Sequence, residues 1–341
     1  MNPVESLIIF VLVVVFLTVI FLPGKGLFAK WKHTIRSTER VLIEDALKHL
    51  HDREYNHMGC TLQSIAGNLG ISSDKAANLV ERLEKLDLIN LKHGQLSLTP
   101  KGRSYALRVI RVHRLWEKYL SEKTGIPEID WHDEAELKEH ALTPEQADGL
   151  AASIGNPLFD PHGDPIPTSD GRIPQKEGKL LSSLKEGEAA QIIHVEDEPK
   201  AIYAQLLALN LRVGSQIIMI ENTNERIKFE SDGEEKILAP IFAANVTVKI
   251  LERENVIEKN FLPLSNLKVG EKGEVLKISN ALRGQERIRL LDFGIVPGAE
   301  IAVEMKSPSG DPTAYRIRDA VIAFRKNQSD YIFMKKNKSE V

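Results

Sequence analysis

Two copies of one short pattern occupy the C-terminal half of the chain, and this repeat constrains the fold more than any other feature. "LKEGEAAQI" at residue 184 recurs as "LKVGEKGEV" at residue 267, and "LLALNLRVGSQI" at 206 recurs as "LLDFGIVPGAEI" at 290. Self-similarity of this kind indicates repeated structural units. Alternating apolar residues and turn glycines predict two small β-barrels of about 70 residues each. Neither copy carries a nucleophile–base pair or a phosphate loop, so both are interpreted as binding or regulatory modules.

Three short helices and a hairpin are predicted ahead of the repeat. Apolar spacing indicates helices from Ser37 to about Leu50 and over "TLQSIAGNLG" (61–70), and a third in "ISSDKAANLVERLEKLDLI", capped by Ser72 or Ser73. "INLKHGQLSLTPKG" then alternates about a Gly94–Gln95 turn, as a short hairpin does. Helix, turn, helix and hairpin in this order predict a winged helix-turn-helix.

The third helix offers polar side chains near its N-terminus. The candidate DNA-binding residues are Ser72, Ser73, Lys75 and Asn78. Their donors and acceptors suit base edges and phosphates, although such residues also cap and solvate surface helices. Lys and Arg are in excess over residues 24–124, whereas the chain after residue 125 is acidic and the net charge is −3. The basic segment is expected to meet a polyanion, either DNA or anionic lipid.

Residues 6–22 form an uncharged apolar run. At about 1.5 Å per residue, a helix of this length is just long enough to cross a hydrocarbon core, and a buried helix of a globular domain is the alternative. No Lys or Arg precedes the run and no A-x-A-like site follows it, which disfavours a cleavable signal peptide. The Lys and Arg residues after the run predict a single-pass protein of the cytoplasmic membrane, with the bulk of the chain in the cytoplasm.

The stretch "WHDEAELKEH" (131–140) packs histidines and carboxylates closely together. A helix there would align His132, Glu136, Glu139 and His140 on one face, as a metal site or as a solvated acidic helix. Upstream, the long helix predicted for "KGRSYALRVIRVHRLWEKYLSEKTG" places His113 and Glu117 four residues apart. The Pro- and Gly-rich "GNPLFDPHGDPIPTSDGRIP" should end the helical part near residue 156, and its His162 is interpreted as a turn residue.

Three motifs, "VIRVHRLWEKYL", "WHDEAELKEHALTPE" and "NPLFDPHGDPIP", resemble the diphtheria-toxin-repressor family of iron- and manganese-dependent transcriptional regulators. The resemblance covers about residues 37–250 and implies a winged-helix domain, a helical metal-binding and dimerisation domain and an SH3-like tail. The last 75 residues resemble a FeoA-like SH3 domain, a type tied to ferrous iron uptake. The expected domains are a membrane anchor (1–32), a winged helix-turn-helix (33–104), a metal-binding and dimerisation domain (105–175), and two SH3/FeoA-like domains (176–255 and 256–341).

The resemblance also implies metal ligands. The main site would consist of Asp45, Glu136, Glu139 and His140, and a second cluster would consist of His113, Glu117 and His132. Glu136 stands where the iron-responsive branch has cysteine, as in the manganese-responsive branch. Lys48 departs from that branch, which would supply a further carboxylate, and the tail ligands have no obvious match, although residues 196–198 lie close. Oxygen ligands beside imidazole suit Mn²⁺ or Fe²⁺.

The sequence therefore predicts a mainly α N-terminal half, with one transmembrane helix, followed by two all-β SH3-like barrels. The predicted function is a membrane-tethered, Mn²⁺- or Fe²⁺-dependent regulator that binds operator DNA as a homodimer and is not an enzyme. Bound metal would tie the first helix to the dimerisation helices through Asp45 and fix the separation of the recognition helices. A hydrolytic metalloenzyme is disfavoured because no open-site general base is identifiable.

A rival interpretation comes from "FLPGKGLFAKW" (21–31), which resembles the end of the last membrane helix in metal-transporting ABC permeases. In that case the same metal site would regulate a metal transporter, which becomes a further candidate partner. The helix-turn-helix would then be a protein-binding surface or a relic that no longer binds DNA.

Overall fold

The computed structural model describes Leu7, Ile9, Phe10 and residues 39–175, 177–252 and 261–335. The described residues divide into two compact units. The first unit contains residues 39–111 with Ser169–Gly171, and the second contains Val112–Thr168 and the residues from Arg172 onward. The predicted domain boundaries stay predictions.

The first unit has the predicted order of three helices and a hairpin. Its elements are α1 (Glu39–Tyr55), α2 (Leu62–Leu69), α3 (Ser73–Lys85), β1 (Ile89–Lys92), β2 (Gln95–Leu98) and the first half of α4 (Pro100–Lys123). The hydroxyl of Thr61 caps α2, which ends at Gly70 with φ of 63°, and Ser72 caps α3. β1 and β2 pair antiparallel. The apolar faces of α1, α2 and α3 enclose one core with this hairpin.

The second unit begins with a helical part. It contains the rest of α4, a 3-10 turn (Glu128–Asp130), α5 (Trp131–Lys138) and α6 (Pro144–Ser153). Thr143 and Gln146 form a capping box at the start of α6. Leu115, Leu120 and Trp131 are buried in two small apolar clusters on this part. α5 is shorter than the predicted helix and ends before Glu139 and His140.

Two β domains of identical topology complete the second unit, as the sequence repeat predicts. The first contains β3 (Lys179–Leu180), β4 (Ala189–Val195), α7 (Lys200–Ala208), β5 (Gln216–Asn222), β6 (Ile227–Ser231), β7 (Glu234–Leu238), α8 (Pro240–Ala243) and β8 (Val246–Ile250). The second contains β9 (Phe261–Pro263), β10 (Lys272–Ile278), α9 (Gly284–Asp292), β11 (Glu300–Lys306), β12 (Thr313–Ile317), β13 (Ala320–Phe324), α10 (Lys326–Ser329) and β14 (Ile332–Lys335). Their strand orders, β3-β8-β4-β5-β6-β7 and β9-β14-β10-β11-β12-β13, correspond strand for strand. Each copy encloses its own apolar core.

The prediction of a single-pass protein of the cytoplasmic membrane is corrected by the structure. Among the described residues no helix is both long enough and apolar enough to cross a bilayer. α4 has the length, 24 residues, but carries Arg, Lys and Glu side chains along it. Of the run 6–22, only Leu7, Ile9 and Phe10 lie among the described residues, and the rest of the predicted span lies outside them.

Candidate metal centre

α4 and α5 bring three of the predicted ligands together. His113 and Glu117 are one helical turn apart on the buried face of α4, and the Nε2 atom of His113 lies 3.1 Å from Oε1 of Glu117. His132, at the start of α5, directs its Nδ1 atom toward the same Oε1 atom at 3.3 Å. The rings of His113 and His132 meet edge to face with centroids 4.8 Å apart. These are the three residues of the second predicted cluster.

A tight turn at residues 160–164 adds a third histidine. Oδ1 of Asp160 accepts hydrogen bonds from the backbone N–H groups of His162 and Asp164, both at 2.9 Å. Gly163, with φ of 93°, lies so close to β4 that a Cβ atom would be 2.0 Å from the carbonyl oxygen of Ile193. The N–H of Val195 donates to the carbonyl of His162 at 2.9 Å. The turn therefore packs tightly against β4, and this close approach requires a glycine at position 163.

His162 is more than the turn residue that the sequence indicates. Its side chain is buried, and its Nε2 atom lies 4.0 Å from Oε1 of Glu117 and 3.8 Å from Oδ2 of Asp197. Asp197 follows β4 and also approaches Nδ1 of His132 at 3.0 Å. The sequence did not identify either residue as a ligand. The signals that could have done so were the Pro-His-Gly turn, for His162, and the run of acidic residues after β4, for Asp197. We name His113, Glu117, His132, His162 and Asp197 the histidine–carboxylate cluster.

The cluster stabilises opposite charges in a buried place. Burial raises the pKa of Glu117, but the charge and hydrogen bond of His113 outweigh it and hold the pKa well below the ordinary value. Burial lowers the pKa of His132, and hydrogen bonds to Asp197 and Glu117 raise it by more. Burial likewise opposes the raised pKa of His162, which comes from the charges of Asp197 and Glu117. In the metal-free chain, the imidazoles and carboxylates thus favour each other's charged forms.

The donor set fits a divalent transition metal. Imidazole nitrogens and carboxylate oxygens converge so that ligand atoms of His113, Glu117 and His132 lie within 4.8 Å of one another, as do those of Glu117, His162 and Asp197. Nε2 of His162 is buried and accepts or donates no hydrogen bond within the described part of the chain, although it faces two carboxylates. A cavity of about 60 Å³ lined by His132, His162 and Asp197 adjoins the cluster. A cavity of this size has room for a water molecule or a small ion beside these atoms.

The residues of the predicted main site come from α1, from α5 and from the two residues that follow α5. Glu139 is buried just beyond α5, with one carboxylate oxygen 2.5 Å from Nδ1 of His113 and the other 3.5 Å from Nε2 of His140. Glu139 therefore links His140 to the histidine–carboxylate cluster. The carboxylate of Glu136 lies 3.7 Å from Nε2 of His132, at the rim of that cluster. Asp45 lies on α1, in the first unit.

The candidate DNA-binding residues are all exposed on or beside α3. The hydroxyl of Ser72 accepts a hydrogen bond from the backbone N–H of Lys75 at 3.4 Å, so this serine caps the helix. Lys75 and Asn78, three residues apart, share one exposed face of α3. The buried residues of α3, including Leu79 and Leu83, hold the opposite face against the core of the unit.

Comparisons with known proteins fit this geometry. Residues 99–168 match the model for the metal-binding and dimerisation domain of iron-dependent repressors, and residues 179–250 and 262–336 match the model for the FeoA domain. The iron-dependent repressor IdeR of Mycobacterium tuberculosis is 33% identical over 122 residues, 36% of this chain and 53% of that protein. A probable metal transport system membrane protein of Chlamydia trachomatis is 39% identical over 83 residues, 24% of this chain and 18% of that protein. A solved manganese-dependent transcriptional repressor in complex with manganese is 26% identical with a TM-score of 0.56, covering 61% of this chain and 100% of its own.

The chain spans about half the length of the curated iron-dependent repressors that it matches. Curated diphtheria toxin repressors are also among its relatives. These matches confirm the predicted resemblance to the diphtheria-toxin-repressor family and the FeoA-like character of the C-terminal copies. The structural match agrees with a helical N-terminal half followed by β domains.

Proposed function

We propose that this chain is a transcriptional regulator whose DNA binding depends on a divalent metal, Mn²⁺ or Fe²⁺, and which acts as a homodimer and not as an enzyme. The histidine–carboxylate cluster carries the proposal. Buried and half-buried histidines and carboxylates converge there from four separate segments, and Nε2 of His162 faces two carboxylates without a hydrogen bond to any described residue. Buried ionisable groups of this density are expensive unless they bind a metal or each other.

His113, Glu117, His132, His162 and Asp197 would hold the ion. A divalent cation held by these residues would supply positive charge to the carboxylates, and its ligands would come from α4, α5, the 160–164 turn and the residues after β4. Such a link stabilises the second unit because the free energy of metal binding adds to the free energy of folding. The resemblance gives Asp45, Glu136, Glu139 and His140 the role of a further metal site, and that role remains a proposal.

The DNA-binding surface would be the exposed face of α3. Lys75 suits a phosphate or a guanine edge, and Asn78 suits an adenine edge in a major groove. A homodimer presents two such helices to successive half-sites. The proposal that metal controls this binding rests on the resemblance to repressors named as iron- or manganese-dependent.

Metal titration with DNA retention tests the proposal. Glu117→Gln keeps the volume of a buried ligand and removes its charge, so we expect Mn²⁺ affinity to fall by about tenfold or more, together with metal-dependent DNA retention. His162→Gln should act in the same direction. His194→Gln is the matched control, because His194 is also buried in the second unit but contacts Asp164 and not the cluster. Parental Mn²⁺ affinity in both cluster variants would overturn the proposed metal site.

A second pair of variants tests the DNA-binding surface. Lys75→Ala and Asn78→Ala should each weaken specific DNA binding by about 1 to 3 kcal/mol if the side chain contacts a base edge, and Lys75→Ala should flatten the salt dependence. Lys85→Ala removes an equal charge at the other end of α3, where the lysine pairs with Glu81. Equal DNA affinity of Lys75→Ala and Lys85→Ala would show that the N-terminal end of α3 is not the contact surface.

Regulation of a metal transport system is the second candidate function. The identity of 39% to a metal transport system membrane protein favours it, over 83 residues. The cluster would then sense the same metals, but the exposed face of α3 would bind protein. Salt-dependent, metal-dependent retention of the chain on DNA would decide for the regulator, and retention on no DNA at any metal concentration would decide for this candidate.

A further inference from the structure

The second β domain contacts the helical part of its unit at the connection between α4 and α5. Gly284, the first residue of α9, lies against the C-terminal end of α4. A Cβ atom at this position would lie 2.5 Å from the carbonyl oxygen of Thr124 and 3.5 Å from that of Ser121. The φ angle of Gly284 is +57°, so both the space and the backbone conformation require glycine.

The neighbouring Arg283 contacts the other side of the same connection. Its guanidinium carbon lies 5.6 Å from the ring centroid of Trp131, and its Nε donates to the carbonyl of Asn280 at 3.2 Å. Trp131 is 3% exposed and directly precedes His132. Its indole N–H donates to the carbonyl of Ile126 at 2.9 Å. The second β domain therefore contacts Trp131, the first residue of α5.

These two contacts lie on either side of the segment that joins the ligand-bearing helices. α4 carries His113 and Glu117, α5 carries His132, and the residues between them are held by the hydroxyl of Thr124. That hydroxyl donates to the carbonyl of Leu120 at 2.6 Å and accepts from the N–H of Ile126 at 3.3 Å. A displacement of this segment would move His132 relative to Glu117, and ligand sets tolerate only about 0.5 Å of such displacement.

We propose that Arg283 and Gly284 are positioning residues: through them the second FeoA-like domain holds α5 so that His132 meets Glu117 and Asp197. The inference rests on the proposed metal-binding function of the cluster. The second domain has its own buried core, with Leu264, Ile301 and Tyr315 among its members, so its contact with Trp131 is made from the surface of a self-contained fold. Partners outside the ligand shell commonly change metal affinity by about 10- to 100-fold.

The first experiment compares two glycine substitutions in the full chain. Gly284→Ala introduces a Cβ atom into the contact with α4, and we expect a 10- to 100-fold loss of Mn²⁺ affinity at the cluster. Gly298→Ala is the matched control: its φ is +87°, in the same domain, and no described atom lies within 4 Å of a Cβ there. Both variants carry the backbone cost of alanine at positive φ, so Gly298→Ala measures that cost alone, and the additional clash with Thr124 should lower the melting temperature of Gly284→Ala further.

Arg283 gives a second, independent comparison. Arg283→Ala should lower Mn²⁺ affinity, and Arg283→Lys should restore part of it because a cation remains over the Trp131 ring. Arg289→Ala removes a similar contact, 5.7 Å from the ring of Phe293, within the second domain alone. Its Mn²⁺ affinity should equal that of the parent.

A measurement without metal separates this inference from the proposed function. The imidazole ¹⁵N signals of His132 in the metal-free chain report its contacts with Glu117 and Asp197, and Gly284→Ala should shift them while Gly298→Ala does not. Shifted signals in a chain whose parent binds no Mn²⁺ would support the positioning role and overturn the proposed metal site. Unshifted signals, or equal Mn²⁺ affinity of the Gly284→Ala and Gly298→Ala variants, would overturn the positioning role.

Discussion

Binding of Mn²⁺ to the metal-free chain is expected to release about two protons per ion near pH 7. The pKa values of His132 and His162 are raised, since nearby carboxylates outweigh the opposing effect of burial, so both rings hold a proton to a higher pH than an ordinary histidine does. An imidazole nitrogen binds a metal only in its neutral form. The ion must therefore displace one proton from each ring.

The magnitude follows from the number of displaced protons. Each released proton changes the apparent binding constant about tenfold per pH unit, so two protons give about 100-fold per unit at pH values below the raised folded-state pKa values of the two rings. Stability changes in the opposite direction. A raised histidine pKa contributes stability to the metal-free fold below pH 6.5, and this contribution is lost as pH rises through the folded-state pKa. The metal-free chain should melt at a lower temperature at pH 8 than at pH 6.5.

Calorimetric titration in two buffers of different ionisation enthalpy counts the protons directly. The parent chain should release about two per Mn²⁺, and His132→Gln should release about one fewer because only His162 remains protonated. His194→Gln should match the parent, since His194 lies outside the cluster. Release of fewer than about half a proton by the parent would refute the reasoning, because the imidazoles would then be neutral before the metal arrives.

Three further predictions test the surroundings of the cluster. Gly163→Ala should destabilise the chain by more than about 2 kcal/mol in thermal melting. The matched variant Gly155→Ala should cost only about 1 kcal/mol, because Gly155 also has a positive φ but no described atom lies within 4 Å of a Cβ there. Equal losses would contradict the close packing of the turn on β4. Burial and the charge of Asp164 raise the pKa of Asp160, so its contribution to stability is lost as pH rises above 3.8, and Asp160→Asn should make stability less dependent on pH. A pH profile as steep as that of the parent would argue against this. Glu136→Cys should shift metal preference from Mn²⁺ toward Zn²⁺ in a competition titration, and an unchanged ratio would remove Glu136 from any selective role.

Local signals in the sequence were sufficient for the elements of the first unit and for the repeat. Ser72 caps α3 and Gly70 ends α2 in the left-handed conformation, because these residue types favour those positions whatever surrounds them. The repeated pattern likewise fixes two β domains of one topology, since each copy must bury the same alternating face. Such features depend on neighbours a few residues away.

The same local signals could not predict contacts between segments that are far apart in the sequence. His162 joins the cluster because Gly163 lets the 160–164 turn pack directly against β4. The N–H of Val195, the last residue of β4, donates to the carbonyl of His162, and Asp197 follows two residues later. The pattern of "WHDEAELKEH" gave no sign that α5 ends at Lys138. Beyond that point Glu139 turns toward His113, so the carboxylate assigned to one predicted site bridges to the other.

The distribution of the ligands over the second unit determines what a metal can do there. His113 and Glu117 lie on α4, whereas Asp197 follows β4 of the first β domain, so the complete set exists only while that domain packs against the helices. An ion at 100 times its dissociation constant therefore adds about 2.7 kcal/mol to the docked arrangement and nothing to an undocked one. A few kcal/mol is enough to change a docking equilibrium from partial to nearly complete. The metal would thus act on the association of helices and β domain, and the contacts of Arg283 and Gly284 would extend that association to the second copy.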